Sequence, residues 1–221
     1  LTKSPPAITV FEENSTAGKL NGENKMKKIM LVLLLVSAAF PAYGAEDSTL
    51  MKRIQHHGAF LAPVLKATEF RNQLALLVGG RVAWVANHQF CLGVGGYGLA
   101  SEVESDYFGP DSTFLLNFGY GGLEVEYIFY PRRIFHFTVY SLIGAGGASF
   151  FTRDPDIDVE WDGDVFFIVE PGVNLELNVR DGFRIDFGYS YRFVSNLRME
   201  GLSNKDLRDV AAVLTLRMGK F

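Results

Sequence analysis

Between Asp154 and Asp164 a carboxylate stands at every second position: Asp154, Asp156, Asp158, Glu160, Asp162 and Asp164. In an extended arm alternate residues share one face, so these like charges would repel along that face. Hard cations take carboxylate oxygens as ligands, and bound Ca²⁺ or Mg²⁺ would relieve the repulsion. From Asp158 the order D-x-E-x-D-G matches part of a calcium loop. The glutamate that closes such a loop at the twelfth place is missing, because Val169 stands there. The plainer account of the same residues is a solvated loop whose charge resists aggregation. The lone Cys91 makes no internal disulfide and fits no metal-ligand spacing; it suits a small wall residue. No cofactor is implied.

A second set of charges is spread along the chain. Lys66, Arg81, Arg184, Arg192 and Arg217 are basic, and Glu124, Glu126, Glu170, Glu176 and Asp186 are acidic. Each lies in a stretch that alternates polar with apolar. If those polar faces point away from water, the five bases must meet the five acids, because an unpaired buried charge costs several kcal/mol. Their chemistry is then structural ion pairing.

The elements that would carry them are strands. Segments of period two run at about 58–67, 74–87, 90–101, 113–129, 134–152, 165–179, 183–195 and 209–221. The last but one contains FRIDFGYSYRFV, in which Phe183, Ile185, Phe187, Tyr189, Tyr191 and Phe193 alternate with Arg184, Asp186, Gly188, Ser190 and Arg192. Soluble strands average five or six residues, whereas a tilted membrane-crossing strand needs about 9–11. Links at 87–89, 130–133 and 180–182 are tight. Those at 68–73, 102–112, 153–164 and 196–208 are expected to be longer and more polar. Tight and long links alternate, as in an up-and-down meander with short turns at one end. Pro171 predicts a bulge or local irregularity, since proline removes a ladder hydrogen bond.

Met26-Lys-Lys followed by an apolar run to Phe40 and small residues to Gly44 has the order of a secretory signal peptide. The run is too short to span a bilayer as a helix. The expected organisation is an upstream extension at 1–25 that is not translated, a signal peptide at 26–44, a short periplasmic segment at 45–57 and a barrel at 58–221. Five of the 21 basic and three of the 25 acidic residues lie before position 45, leaving 16 against 22. An acidic chain does not suit nucleic acid.

The stretches LLVGGRVAWVANHQFCLGVGGYGL (76–99), FGYGGLEVEYIFYP (118–131) and NKDLRDVAAVLTLRMGKF (204–221) resemble the small OmpA/OmpX-type outer-membrane β-barrels, and a porin-like group among them. The resemblance implies an all-β fold: an eight-stranded antiparallel up-and-down transmembrane barrel in the bacterial outer membrane. It implies outer-membrane lipid and lipopolysaccharide as surroundings, a monomer, and no catalytic residues. Phe221 after a last amphipathic strand resembles the signal read by the barrel-assembly machinery. Its phase is off, because Gly219, Arg217 and Thr215 lie on its face while Met218, Leu216 and Leu214 are the greasy side. A bulge near Gly219-Lys220 is expected to restore it. The four histidines sit before the first strand (His56, His57), in a tight turn (His88) and at a strand start (His136). None falls at the long-loop end, where lipid A-modifying barrels work. YRFVSN (191–196) resembles a deacylase stretch but holds Val194 in place of the catalytic histidine beside Ser195. The expected role is therefore structural, or surface interaction through acidic outer loops, ahead of a narrow pore, a lipid A-modifying enzyme or a soluble lipocalin-like barrel.

Overall fold

The computed structural model describes residues 56–71, 73–105, 114–152 and 163–221. They form strands β1 (His57–Phe70), β2 (Gln73–Ala86), β3 (Phe90–Leu99), β4 (Glu104–Ser105), β5 (Phe114–Phe129), β6 (Phe135–Thr152), β7 (Gly163–Arg180), β8 (Phe183–Tyr191), β9 (Phe193–Ser195) and β10 (Val210–Lys220). The hydrogen-bonded order is β3-β2-β1-β10-β8-β7-β6-β5, and β3 also pairs with β5. That last pairing closes the ring. β9 prolongs β8 along β7, and β4 is a short flange on β5, so the wall has eight strands, all antiparallel. Closure leaves no sheet edge unpaired.

Why these residues close a ring is legible in their alternation. From Arg184 to Ser190 every even position except Gly188 is buried, while Phe187 and Tyr189 between them are exposed. The same alternation runs through β1, β2, β5 and β7. A strand pairs on both edges and shows one face inward, which is what a barrel needs.

The turns at one end are tight and chemically explicit. Gln89 N donates to Ala86 O at 3.1 Å, and the central residues Asn87 and His88 both have positive φ, 53° and 63°. That is the requirement of a type I′ turn, and Gln89 adds a third linking residue before the Ala86↔Phe90 pair. Asp181-Gly182 joins β7 to β8 with Gly182 at φ 78°, where a side chain would be strained.

Two details depart from the sequence expectation and a third, at Pro171, takes one of its two forms. The link at 68–73 is not long: β1 runs on to Phe70, which pairs with Gln73. Phe70 continues the inward phase of Lys66 and Thr68 and is fully buried, so its packing outweighs the polar composition around it. At the other end no bulge occurs near Gly219-Lys220. The ladder holds one register from Thr68↔Ala211 to Ala59↔Lys220, and Phe221 stays on the inner face, its ring 5.6 Å from that of buried Phe60. Pro171 sits where β7 passes from β8 to β9. Gly172 pairs with Ser190 and Val169 with Phe193 in the same register, so the ladder is interrupted without an inserted residue. The one register shift of β7 against β8 falls instead between Asn178 and Arg180.

Candidate functional site: a filled lumen and two rims

The ten charged side chains of the inward faces, Lys66, Arg81, Glu124, Glu126, Glu170, Glu176, Arg184, Asp186, Arg192 and Arg217, are all buried inside the ring. Most lie between two apolar tiers; Arg184 stands at the floor beside Phe221, and Arg192 in the cap.

The floor, at the tight-turn end, is Phe60, Ala62, Ala83, Val85, Cys91 and Ile128, with Phe221 against it. Above it lies an ionic tier centred on Arg217, whose Nε is 2.5 Å from Asp186. Its other two nitrogens lie 2.7 Å from Glu126 and 3.2 Å from Glu176. Arg81 bridges Glu124 at 2.8 Å and also bonds Glu126. Arg184 donates to Glu176 at 2.6 Å and lies 3.8 Å above the Phe221 ring. A second centre stands beside it. Lys66 Nζ donates to Glu170 Oε1 at 2.7 Å and hovers 3.5 Å over the Tyr97 ring. Tyr120 and Ser190 each donate to Glu170 at 2.5 Å, and Tyr97 donates to Glu124 at 2.6 Å.

Arg192 is the exception. Among the described residues no carboxylate pairs with it. Its Nε donates to Leu207 O at 2.7 Å, a second nitrogen to Thr68 Oγ1 at 3.3 Å, and its plane lies 4.5 Å from the Phe70 ring. It belongs to the third tier, an apolar cap at the long-loop end. There Phe70, Phe118 and Phe166 meet Leu197, Met199, Leu202 and Leu207. The last four come from the segment between β9 and β10, which turns inward. It is braced by Arg208 donating to Val194 O at 2.8 and 2.6 Å and by Asn204 Oδ1 accepting from Leu197 N at 3.2 Å. The bases and acids thus do not match one to one: four cations meet five carboxylates, and His136 joins them.

His136 went unnoticed in the sequence as an interior group. Its Nε2 lies 2.7 Å from Glu176 and its Nδ1 3.2 Å from Arg133 O. Tyr97, Tyr120 and Tyr140 were missed too, though a signal existed. Phe118, Tyr120, Glu124, Glu126 and Ile128 are one inner face read at every second residue.

The outward faces are apolar. Leu61, Val78, Leu123, Phe137, Phe187 and Tyr189 are each more than half exposed. A monomer in water rarely shows a contiguous apolar patch beyond a few hundred Å², whereas here every wall strand contributes to a belt. Hydrocarbon is the medium that matches it, and only a closed ring of strands or a helix satisfies the backbone there. Aromatic residues Trp84, Tyr127, Phe135 and Tyr130 gather at the tight-turn end of the belt, as at a membrane interface.

The chain is an eight-stranded transmembrane β-barrel.

Its filled interior is that of small OmpA/OmpX-type barrels, and such barrels stand in the bacterial outer membrane with short turns toward the periplasm. No family model matches the sequence, and no curated protein does. Among solved structures the chain is similar to the N-terminal β-barrel domain of Pseudomonas aeruginosa OprF (12% identity, 72% of this chain and 96% of that one, TM-score 0.46). It is similar also to Neisserial surface protein A (14%, 75% and 97%, 0.46). A third is Ail, the attachment invasion locus protein of Yersinia pestis (14%, 74% and 95%, 0.43).

Of the acidic run, Asp154, Asp156, Asp158, Glu160 and Asp162 lie outside the described residues. Asp164 is in β7, where Oδ1 accepts from Val165 N at 2.8 Å and Oδ2 from Arg198 N. Among the described residues no group of three metal-ligating side chains converges. Ser195 pairs with Phe167 at the end of β9, and the neighbouring Val194 is buried in the cap.

Proposed function

We propose that the protein is a non-enzymatic outer-membrane barrel that serves the envelope through what its outer rim presents, with no solute path through its centre. The supporting observation is the filling of the lumen from floor to cap by packed aromatic, aliphatic and ion-paired side chains. A barrel so filled has its rims left to act with. Among the links between strands the sequence 154–164 carries the densest charge, and divalent cations shared with lipopolysaccharide are the partner that its chemistry suits.

Three measurements test this. Purified protein in a planar bilayer is expected to give no stable conductance steps; ohmic steps at neutral pH would establish the narrow-pore alternative. Calcium is expected to slow proteolysis within 154–164, and EDTA to restore it; indifference to both removes the cation from the proposal. An unchanged lipid A mass spectrum in cells carrying Ser195→Ala is expected, and a changed one would assign an enzyme.

A further inference from the structure

The tight turn between β5 and β6 is braced far more than a connecting turn requires. Arg133 N donates to Tyr130 O at 3.0 Å, closing it. Asn178, reaching over from β7, donates its side-chain amide to Arg133 O at 2.7 Å and Pro131 O at 3.3 Å, while its backbone N donates to Ile134 O at 2.9 Å. His136 adds a contact to Arg133 O from inside the ring. The backbone is fixed, yet the two guanidiniums it carries are unspent. Neither Arg132 nor Arg133 has a carboxylate partner among the described residues; Arg133 only covers the Tyr130 ring, 4.9 Å from its centroid.

These arginines edge a cleft of about 580 Å³ shared with the neighbouring turn, Asn87-His88-Gln89, and with Tyr127 and Phe129. Tyr127 and Phe129 are in the outward phase of β5, in line with Leu123 and Val125 of the lipid-facing belt. The cleft therefore opens at the level where acyl chains end and headgroups begin, on the periplasmic side. The rim there is basic: Arg132, Arg133, Arg180 and Lys220 stand against Asp181. Planar guanidinium donors match phosphate oxygens in paired hydrogen bonds, and flat aromatic rings suit the interface above them.

We propose that this cleft is a binding site for the phosphate-bearing headgroup of an anionic phospholipid of the periplasmic leaflet, with the acyl chains laid along Tyr127, Val125 and Leu92. It is a site of composition-dependent anchoring, distinct from the filled lumen and from the outer loops. It rests on the barrel's membrane orientation and not on the proposed role of the outer rim.

The test uses the full processed chain in nanodiscs of phosphatidylcholine with graded phosphatidylglycerol, reading retained lipid by native mass spectrometry. One to two phosphatidylglycerol molecules are expected to survive detergent stripping. Arg132→Ala with Arg133→Ala is expected to weaken that retention roughly 30-fold, each arginine beside an anionic surface contributing about 1 kcal/mol. Arg132→Lys with Arg133→Lys is expected to recover part of it, and Arg198→Ala, at the opposite rim, none of the loss. Heat-modifiable mobility of every variant verifies that the barrel has formed. Inorganic phosphate at tens of millimolar is expected not to displace the lipid, since it lacks the chains. Displacement by phosphate alone, or equal retention by the double alanine variant, overturns the proposal.

Discussion

Lys66 and Glu170 offer the cleanest measurement of whether the lumen is dry. Their side chains are 1% and 0% exposed and meet at 2.7 Å, and among the described residues neither makes a second ion pair. An exposed pair of this kind couples by only about 0.2–1 kcal/mol. A desolvated one behaves differently, because removing one partner strands the other, at a cost of about 3–5 kcal/mol. Lys66→Met leaves the Glu170 carboxylate with only the Tyr120 and Ser190 hydroxyls. Glu170→Gln leaves the ammonium without a counter-charge, facing only neutral groups: the new amide, the Tyr120 oxygen at 3.2 Å and the Tyr97 face. Each single variant is thus expected to lose about 3–5 kcal/mol. The double variant leaves no orphaned charge, and replacing a whole buried pair is often close to neutral. The coupling energy of the cycle should then be several kcal/mol. Urea unfolding of the barrel folded into phospholipid vesicles, followed by gel mobility and by the fluorescence of belt residue Trp84, supplies the numbers. Additive single effects, each below about 1 kcal/mol, would mean that water reaches the pair, and the picture of a sealed lumen would fail.

Three other outcomes follow from the same geometry. Leu123→Arg puts a charge on a residue 61% exposed, between Val94 and Ile143 of the flanking strands; it should cost about 2–4 kcal/mol in vesicles if that face meets hydrocarbon, against roughly 0.5 kcal/mol or less on a wetted surface. Gly172→Val should lose about 1–3 kcal/mol by overpacking, because a Cβ there lies 2.5 Å from the Tyr140 ring, and Tyr140→Leu in the same chain should restore most of it. Arg192→Ala leaves the Leu207 carbonyl without its donor, a loss of about 1–3 kcal/mol for a buried acceptor. Cleavage by trypsin at Arg198, Lys205 or Arg208 should speed up roughly 10- to 100-fold, with the strands untouched; an unchanged rate would show that the cap is held by its leucines alone.

The alternation of FRIDFGYSYRFV shows which side of a strand is which, because one peptide unit reverses the side chain. It does not show depth. Arg217 on β10 reaches Glu126 on β5, across the lumen and not along a ladder, and that meeting depends on how far each strand is staggered around the ring. Stagger is a property of closure, so no single segment carries it. For that reason Arg192 reads as one more base for an acid, although it stands a tier above the carboxylates and bonds a loop carbonyl instead. His136 was hidden for a related reason. It opens β6, where strand and turn merge by composition, and only its phase with Thr138 and Tyr140 places it inside. Phe70 escaped because Thr68, Glu69 and Arg71 around it are polar, while its own ring packs 5.0 Å from Phe118.

The ionic tier also bears on how the wall finds its register. A slip of one residue turns every inward side chain out. For β10 such a slip would carry Arg217 into the lipid-facing belt a few residues from the tight-turn end, at a cost of up to about 2–4 kcal/mol, the figure for a midplane arginine. It would also strand Asp186, whose only described ion pair is with Arg217, at about 3–5 kcal/mol. Those terms together rival the whole stability of an ordinary domain, about 5–15 kcal/mol, so the slipped pairing is excluded at β10 by one arginine. β1, β2, β5, β7 and β8 each carry at least one inward charge of the same kind. β3 and β6 lack an inward carboxylate, lysine or arginine and are rich in glycine, which makes them the strands with the weakest preference of their own. Each lies between two charged strands, β3 between β2 and β5 and β6 between β5 and β7. Their register is therefore set from both sides. A hydrocarbon interior of equal volume would satisfy packing but would leave inner and outer faces chemically alike, and nothing would then tell a strand which of its faces belongs inside.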